Sequence, residues 1–345
     1  MSAGIPPGPP LPCRPGPARP GPARPGPIRP GPATAGRAGS GRAGAGGAGR
    51  PTNPRALGGA GRIGVIGGSG LYEMPDLTDV EEVALETPFG APSDSFILGR
   101  LGGRPMAFLS RHGRGHVFSP TEVNYRANIF GMKLLGVGRI FSVSAVGSLK
   151  DEIHPSEMVF PDQFIDRTSK RASTFFGGGV VGHVGMAHPV CGEIHRTYVQ
   201  AAEKGGVRHH AGGTYVCMEG PQFSTRGESF LYRSWGASVI GMTNATEAKL
   251  AREAEICYGT IAMVTDYDCW HEDEEHHVST EAVIAVLKQN VERGRGIIRE
   301  AAAALPGERR CDCGSALEGG ILTAPDRIPP EALERLKPII GKYVR

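Results

Sequence analysis

From Arg62 onward, short apolar runs rich in β-branched residues alternate with segments of helical period. Strand–helix alternation that continues without a break predicts a single α/β domain, in which helices flank a mostly parallel, twisted central sheet. The runs that predict buried strands are 62–66, 104–110, 139–144, 213–218, 238–242 and 257–265. In sheets of this kind ligands bind at the carboxyl ends of the strands, so those loops are where a site is expected.

Helix start signals lie between the predicted strands. Ser119 is followed three residues later by Glu122, with Pro120 between them, and this capping-box pattern predicts a helix that Gly136 ends. The same start signal recurs at two further places, Thr225 with Glu228 and Asn244 with Glu247. Apolar residues at helical spacing predict a long helix from 283 to 298, which stops before Pro306.

Residues 1–60 differ in composition from the rest of the chain. They contain eight Arg and no Asp or Glu, and the unit Arg-Pro-Gly-Pro-Xaa repeats between residues 14 and 33. The net charge of +3 for the whole chain, less the +8 of this segment, leaves −5 for the remainder. We expect a disordered extension or a translation start placed too far upstream, with an Arg-Gly nucleic-acid tail as the alternative. The acidic core predicts no nucleic-acid binding.

Seven Cys are scattered along the chain, and an odd, dispersed set is unlike the disulfide framework of a secreted domain. The sequence shows no signal peptide and no apolar run of membrane-spanning length, so the prediction is a cytoplasmic protein without a membrane partner. Cys311 and Cys313 form a close pair, but two thiols without a second pair predict a poor zinc site and at best a strained disulfide. Residues 307–345 are taken as a C-terminal extension with no assigned role.

Three predicted strand ends carry groups that can meet an anion. Gly67-Gly68-Ser69-Gly70 follows the first strand, Arg111-His112 follows the second, and Ser144-Ala145 follows the third. Arginine offers a planar fork of donors to phosphate oxygens, and the adjacent imidazole can donate another hydrogen bond. The chain has no P-loop and no carboxylate pair for Mg²⁺, so inorganic phosphate or a sugar phosphate is expected. A dinucleotide site is the alternative, although Pro75 breaks the helix it needs.

The last predicted strand ends in two acidic residues, Asp266 and Asp268, which an extended backbone would point in the same direction. Two carboxyl groups on one face can accept from an exocyclic amine or share a proton with a ring nitrogen. A metal pair and a glycosidase pair are the alternatives. The histidines of the segment 271–277 lack the spacing of a zinc helix, and this segment is expected to be a solvated loop.

Taken in order, these loops resemble the trimeric purine nucleoside phosphorylases, and within them the methylthioadenosine phosphorylase branch. The resemblance extends from about residue 62 to 305, which places a nucleoside phosphorylase domain at 61–306. The motifs that carry it are Ile66-Gly67-Gly68-Ser69-Gly70-Leu71, Thr87-Pro88-Phe89-Gly90, Arg111-His112-Gly113, Val123-Asn124-Tyr125-Arg126-Ala127-Asn128, Met218-Glu219-Gly220-Pro221-Gln222-Phe223-Ser224, Gly241-Met242-Thr243 and Thr265-Asp266-Tyr267-Asp268.

The resemblance implies a role for individual residues. Phosphate would be bound by Ser69, Arg111, His112, Ser144, Ala145 and Thr243. The nucleoside would be bound by Met242 at the ribose, by Phe223, Ser224, Asp266 and Asp268 at the base, and by Thr280 and Val283 at the 5′ substituent. His183 would reach into the sugar pocket of a neighbouring subunit, which implies a homotrimer.

The resemblance also implies a reaction, the phosphorolysis of S-methyl-5′-thioadenosine to adenine and 5-methylthio-α-ribose 1-phosphate, a step of purine and methionine salvage. Asp266 would be the catalytic residue because it would share a proton with purine nitrogen seven. Inorganic phosphate would be a co-substrate, and no metal or organic cofactor would be needed. A 6-oxopurine nucleoside or methylthioinosine phosphorylase is the alternative, for which the resemblance would place Asn at position 266.

Overall fold

A computed structural model of the protein describes residues 61–271 and 280–344. The Pro/Gly/Arg-rich segment 1–60 and residues 272–279 of the predicted solvated loop lie outside the described residues.

One sheet of eleven strands runs through the described part of the chain. Its central strand β5 pairs in parallel with β1 on one side and with β11 on the other. Parallel pairs also join β1 to β4, β10 to β9, and β9 to β7, whereas β10 pairs antiparallel with β5. The strands are β1 (Arg62–Gly67), β2 (Leu77–Val83), β3 (Phe96–Leu101), β4 (Arg104–Ser110), β5 (Val137–Ser148), β6 (Met158–Phe160), β7 (Gln163–Asp166), β8 (His209–Ala211), β9 (Thr214–Cys217), β10 (Val239–Gly241) and β11 (Cys257–Asp266). The expected mostly parallel α/β architecture is thereby confirmed.

The strands predicted from apolar runs form the buried centre of this sheet. Every residue of β1 is buried, and so is every residue of β11 except Asp266 at its end. Strands covered on both faces have continuous apolar runs, which is why sequence periodicity detects them. The strands missed by the sequence analysis are short, or lie at the margin of the sheet. In β2, for example, most side chains are exposed, and the run Thr-Asp-Val-Glu-Glu carries no core pattern.

Six helices flank the sheet in the described residues. The capping box at Thr225 is confirmed, since its side chain accepts from the Glu228 backbone and Glu228 accepts from the Thr225 backbone. The predicted helix start at Pro120 is wrong, because residues 120–123 form turns and Asn124 caps the helix instead. The helices are α1 (Tyr125–Leu134), α2 (Gly192–Lys204), α3 (Arg226–Ser234), α4 (Asn244–Glu253), α5 (Thr280–Ala304) and α6 (Pro330–Ile340).

The C-terminal residues pack onto the core. Leu336 and Ile340 of α6 are fully buried in the same apolar cluster as Ile129 and Phe130 of α1. Neither in 61–271 nor in 280–344 does any helix combine the length and apolarity needed to cross a membrane.

Candidate active site

A cavity of about 780 Å³ opens at the carboxyl ends of the central strands. It receives residues from the ends of β1, β4, β5, β10 and β11, and its volume lies in the range of small-molecule sites. The predicted site residues that line it are Arg111, His112, Ser144, Ala145, Phe223, Met242, Thr243, Asp266 and Asp268. The Gly67–Gly70 loop contributes Gly68 and Gly70, whereas the side chain of Ser69 lies outside the described residues.

Arg111 is buried beneath the cavity and is held by an acidic partner. Its Nε lies 2.5 Å from Oε1 of Glu247, and one Nη lies 3.1 Å from the other carboxylate oxygen. The guanidinium also donates to Oγ of Ser142 and to the carbonyl of Val143. Most of its donors are therefore used inside the protein, and the free fork expected from the sequence is not available to phosphate. What Arg111 offers an anion is a fixed charge and one remaining N–H.

His112 has a defined hydrogen-bonding role. Its Nδ1 lies 2.8 Å from the carbonyl oxygen of Phe118, and because a carbonyl only accepts, Nδ1 carries the hydrogen. Burial and the neighbouring Arg111 lower the pKa of His112 to about 4, so the ring is neutral near pH 7. Nε2 then has no hydrogen. It can only accept a hydrogen bond, whereas the sequence analysis expected the imidazole to donate one.

The other groups that can donate hydrogen bonds to an anion surround the start of α4. Thr243 is the N-cap residue of this helix, yet its side chain makes no capping bond and contacts Asn244 instead. The first N–H groups of a helix have no partner within it, and they favour negative charge nearby. Ser144 and Ala145 line the cavity from β5. Backbone N–H groups and hydroxyls thus converge on one wall with the charge of Arg111.

Asp266 lies at the carboxyl end of β11, where the pairing with β5 is interrupted. Val264 pairs with Val146 and Asp266 with Gly147, so Thr265 is left over in a bulge. The Thr265 hydroxyl donates to Oδ2 of Asp266 at 2.6 Å. Burial, with a smaller contribution from the charge of Asp268, raises the pKa of Asp266 to about 6. Near neutral pH this carboxyl group can therefore hold or release a proton.

Asp268 presents an unused acceptor. Its Oδ2 is buried and has no hydrogen-bond partner within the residues that the structure describes. Burial also raises the pKa of Asp268. A buried carboxylate oxygen without a donor is costly, and an amine on a bound ligand would remove that cost.

The sequence analysis expected hydrogen-bond donors for an anion and two carboxyl groups to lie in one site. Comparison with known proteins identifies the family to which such a chain belongs. A sequence model described as the phosphorylase superfamily matches residues 62–303. The chain belongs to this superfamily.

Several relatives of this phosphorylase superfamily member share one name with each other. The S-methyl-5′-thioadenosine phosphorylases of Koribacter versatilis and Geobacter sulfurreducens are each 62% identical to the chain. These alignments cover 81% and 82% of the chain and 96% and 99% of the relatives.

Solved structures with a similar fold have names of the same kind as the sequence relatives. A methylthioadenosine phosphorylase from an antarctic soil metagenomic library superposes with a TM-score of 0.78 at 48% identity, covering 81% of this chain and 99% of that one. Methylthioadenosine phosphorylase from Schistosoma mansoni, in complex with adenine, gives a TM-score of 0.72 at 35% identity, covering 76% and 99%. The fold of a nucleoside phosphorylase is thus shown.

Of the predicted site residues whose side chains the structure describes, two do not line the cavity. Ser224 is buried, and its carbonyl accepts from the thiol of Cys269. His183 is exposed, and its backbone N–H donates to Gly320, so it does not reach the cavity of its own chain. Thr280 and Val283 belong to α5, but their side chains lie outside the described residues.

Two positioning residues of the phosphorylase escaped the sequence analysis. Glu247 was interpreted there only as a helix-start residue, whereas its carboxylate holds Arg111. Glu219 accepts from Thr121, Arg171 and the backbone of Ser169 and Lys170, and thereby fixes the loop that carries Phe223. These partners are distant in sequence, so no local spacing could reveal them.

Proposed function

We propose that the protein catalyses phosphorolysis of S-methyl-5′-thioadenosine, with inorganic phosphate as co-substrate, to adenine and 5-methylthio-α-ribose 1-phosphate. One observation carries the proposal: a single cavity joins an anion-binding wall to two carboxyl groups that can hold an aminopurine. Asp268 is buried there and Asp266 is half-buried. The names of the sequence relatives, and the adenine in one related structure, support the same chemistry.

The part that phosphate plays in the reaction is inferred from one wall of the cavity, which is here called the anion wall. Phosphate bound by Ser144, Ala145, Thr243 and the start of α4 lies beside the charge of Arg111. As the glycosidic bond stretches, the ribose becomes an oxocarbenium-like cation, and the bound dianion stabilises it before attacking the anomeric carbon. This single displacement inverts the anomeric configuration. The step uses no metal and no organic cofactor.

The base side of the reaction follows from Asp266 and Asp268. A purine leaving group gains electrons as it departs, and a proton shared with nitrogen seven stabilises it. The raised pKa of Asp266 makes that transfer accessible near neutral pH. The unpaired Oδ2 of Asp268 is suited to accept from the exocyclic amine of adenine. Met242 would pack against the ribose, and Phe223 against the base.

We further propose that the working unit is a homotrimer in which His183 completes a neighbour's sugar pocket. Support comes from apolar side chains that the single chain leaves open to solvent on and after α3: Phe230 is 50% exposed and Trp235 is 41% exposed. Light scattering coupled to size exclusion measures the mass of the assembly. The cytoplasmic location and the role in salvage stay predictions from the sequence.

The proposed reaction is tested by product analysis. The protein is incubated with S-methyl-5′-thioadenosine, adenosine or inosine, each with and without phosphate, and the released bases are separated by chromatography. Phosphate-dependent release of adenine from the first substrate is expected. Release of hypoxanthine in preference to adenine would instead identify a 6-oxopurine phosphorylase, and release without phosphate would identify a hydrolase.

A further inference from the structure

Four thiols that are far apart in the sequence meet on the side of the molecule away from the cavity. The Sγ atoms of Cys191, Cys257, Cys311 and Cys313 all lie within 4.8 Å of one another, and those of Cys257 and Cys311 are 3.3 Å apart. All four are free thiols, and three of the side chains are buried. The sequence analysis found no second pair of thiols for Cys311 and Cys313, and the fold supplies it as Cys191 and Cys257.

We propose that these four cysteines form a structural zinc site. Zinc bound to thiolates is tetrahedral with Zn–S bonds of about 2.3 Å, so its sulfur atoms are separated by roughly 3.8 Å. The cluster needs only small side-chain adjustments to reach that geometry. Four protein ligands leave no open position for substrate, which is the arrangement of structural rather than catalytic zinc.

The surroundings of the cluster favour negatively charged sulfur. Cys191 is the N-cap residue of α2, and the first N–H groups of a helix favour negative charge nearby. The guanidinium of Arg252 lies 3.8 Å from Sγ of Cys313. Zinc with four thiolates carries a net charge of −2, and these donors offset part of it. Loading the site releases the thiol protons.

The position of the site indicates a structural role for the metal. Cys257 begins β11 and Asp266 ends it, so the metal would lie roughly 30 Å from the reacting atoms. Cys311 and Cys313 belong to the C-terminal segment, whereas Cys191 and Cys257 belong to the α/β core. Zinc would therefore fasten the C-terminal segment to the core without taking part in the reaction.

Metal analysis tests the proposal on the full-length, untagged protein, purified under reducing conditions from cells supplied with Zn²⁺. Mass spectrometry of the native protein and elemental analysis should find about one zinc per chain. Cys311→Ser and Cys191→Ser should each lower the zinc content at least tenfold, whereas Cys217→Ser, which alters a buried cysteine outside the cluster, should retain it. Chelator-treated wild type titrated with Co²⁺ should show the intense visible bands of a tetrahedral thiolate site.

Each opposite result would overturn the proposal. Wild-type protein that holds less than a tenth of an equivalent of zinc and gives no thiolate bands with Co²⁺ would exclude a zinc site. An intact mass lowered by two hydrogens per bridge, with the four cysteines resistant to alkylation, would show disulfides instead. Iron in place of zinc would refute the choice of metal. Because the wild-type measurements need no variant, a failure of Cys311→Ser to fold leaves the test complete.

Discussion

Asp266 combines burial with a nearby carboxyl group, and this combination raises its pKa to about 6. Because the pKa is raised, the carboxyl is protonated below about pH 6 and loses its proton above it. If this proton moves to the purine, kcat/KM for the nucleoside at saturating phosphate should fall about tenfold per pH unit above that value. The descending limb should be absent from Asp266→Asn. A wild-type profile that stays level from pH 6 to 8 would contradict the assignment.

The same residue should determine base choice. Above about pH 6 the carboxyl of Asp266 is mostly ionised and only accepts, whereas the amide of Asp266→Asn can donate to a 6-oxopurine carbonyl. A mispaired buried polar group costs about 1–3 kcal/mol. We expect turnover of S-methyl-5′-thioadenosine to fall by orders of magnitude and the ratio of specificity constants to move toward 5′-methylthioinosine. A competition assay with both nucleosides in one tube measures that ratio.

The unfolding temperature of Asp266→Asn is the control for its kinetics. A buried carboxyl with a raised pKa destabilises the folded protein once it is ionised, so Asp266→Asn should unfold at no lower temperature than wild type at pH 7.5. If the variant is stable but the specificity ratio is unchanged, Asp266 does not contact the base.

Arg111 is better tested by lysine than by alanine. Alanine would leave Glu247 as an unpaired buried charge, which costs about 3–5 kcal/mol of stability on its own. Lysine keeps the charge but cannot hold both carboxylate oxygens and the Val143 carbonyl together. We expect Arg111→Lys to raise the phosphate KM at least tenfold, in line with about 1.5–3 kcal/mol for a charged hydrogen bond.

Calorimetric titration with nucleoside alone should show binding to Arg111→Lys within about twofold of wild type, because the guanidinium lies at the anion wall. Arg114→Lys, at an exposed arginine of the same loop, is the matched control and should leave the phosphate KM unchanged. An equal loss of nucleoside and phosphate binding in Arg111→Lys would argue for general disruption of the cavity.

At the residue scale, the sequence identified the groups that touch the cavity but not the groups that hold them. Arg111 and His112 follow a strand and Asp266 ends one, and strand ends can be located from apolar runs. The partnership of Arg111 with Glu247 joins residues 136 positions apart, and only the folded chain brings them together. The hydrogen on Nδ1 of His112 likewise depends on the Phe118 carbonyl.

The pairing of β5 with β11 sets the direction of Asp266, and Gly147 leaves the room for it. A Cβ added at Gly147 would lie 3.0 Å from Oδ1 of Asp266 and 3.2 Å from Ile240, a tight contact from which the carboxylate must move. We expect Gly147→Ala to lower kcat/KM for the nucleoside at least tenfold. Its phosphate KM should change less than twofold.

Gly296→Ala, where an added methyl group meets open space on α5, is the control for this substitution and should keep wild-type kinetics. Both variants are assayed by steady-state kinetics with each substrate varied in turn. Wild-type nucleoside kinetics in Gly147→Ala would show that the β5–β11 register does not position the base-binding carboxyl.

At the scale of strands and helices, the sequence analysis located the strands that are buried along their length. It also located a helix cap whose residues are close together in the sequence. The strands β1, β5 and β11 and the capping box of α3 were found because their signals lie within a few consecutive residues. The start of α1 was placed too early because Ser119 and Glu122 form half of a capping box without a helix behind it. That turn instead contributes Ser119 and Glu122 to the cavity wall.

At the scale of the whole molecule, residues 1–60 should be dispensable. They have no counterpart in the family resemblance, and few apolar side chains are present to dock them on the core. A chain that begins at about Ala60 should have the wild-type kcat and the same mass by light scattering, and limited proteolysis of the full chain should remove the segment first. A smaller assembly after truncation than the loss of residues 1–60 accounts for, or protection of the segment from protease, would contradict this.

Whether the enzyme transfers the pentosyl group to phosphate, rather than to water, is decided most directly by ³¹P and ¹H nuclear magnetic resonance. S-methyl-5′-thioadenosine and phosphate are mixed with the protein, and the reaction is followed in one tube. We predict a new phosphate-ester signal coupled to an anomeric proton of the α configuration, with one adenine released per ester formed and no reaction without phosphate. Free 5-methylthioribose with an unchanged phosphate signal would contradict the proposed function.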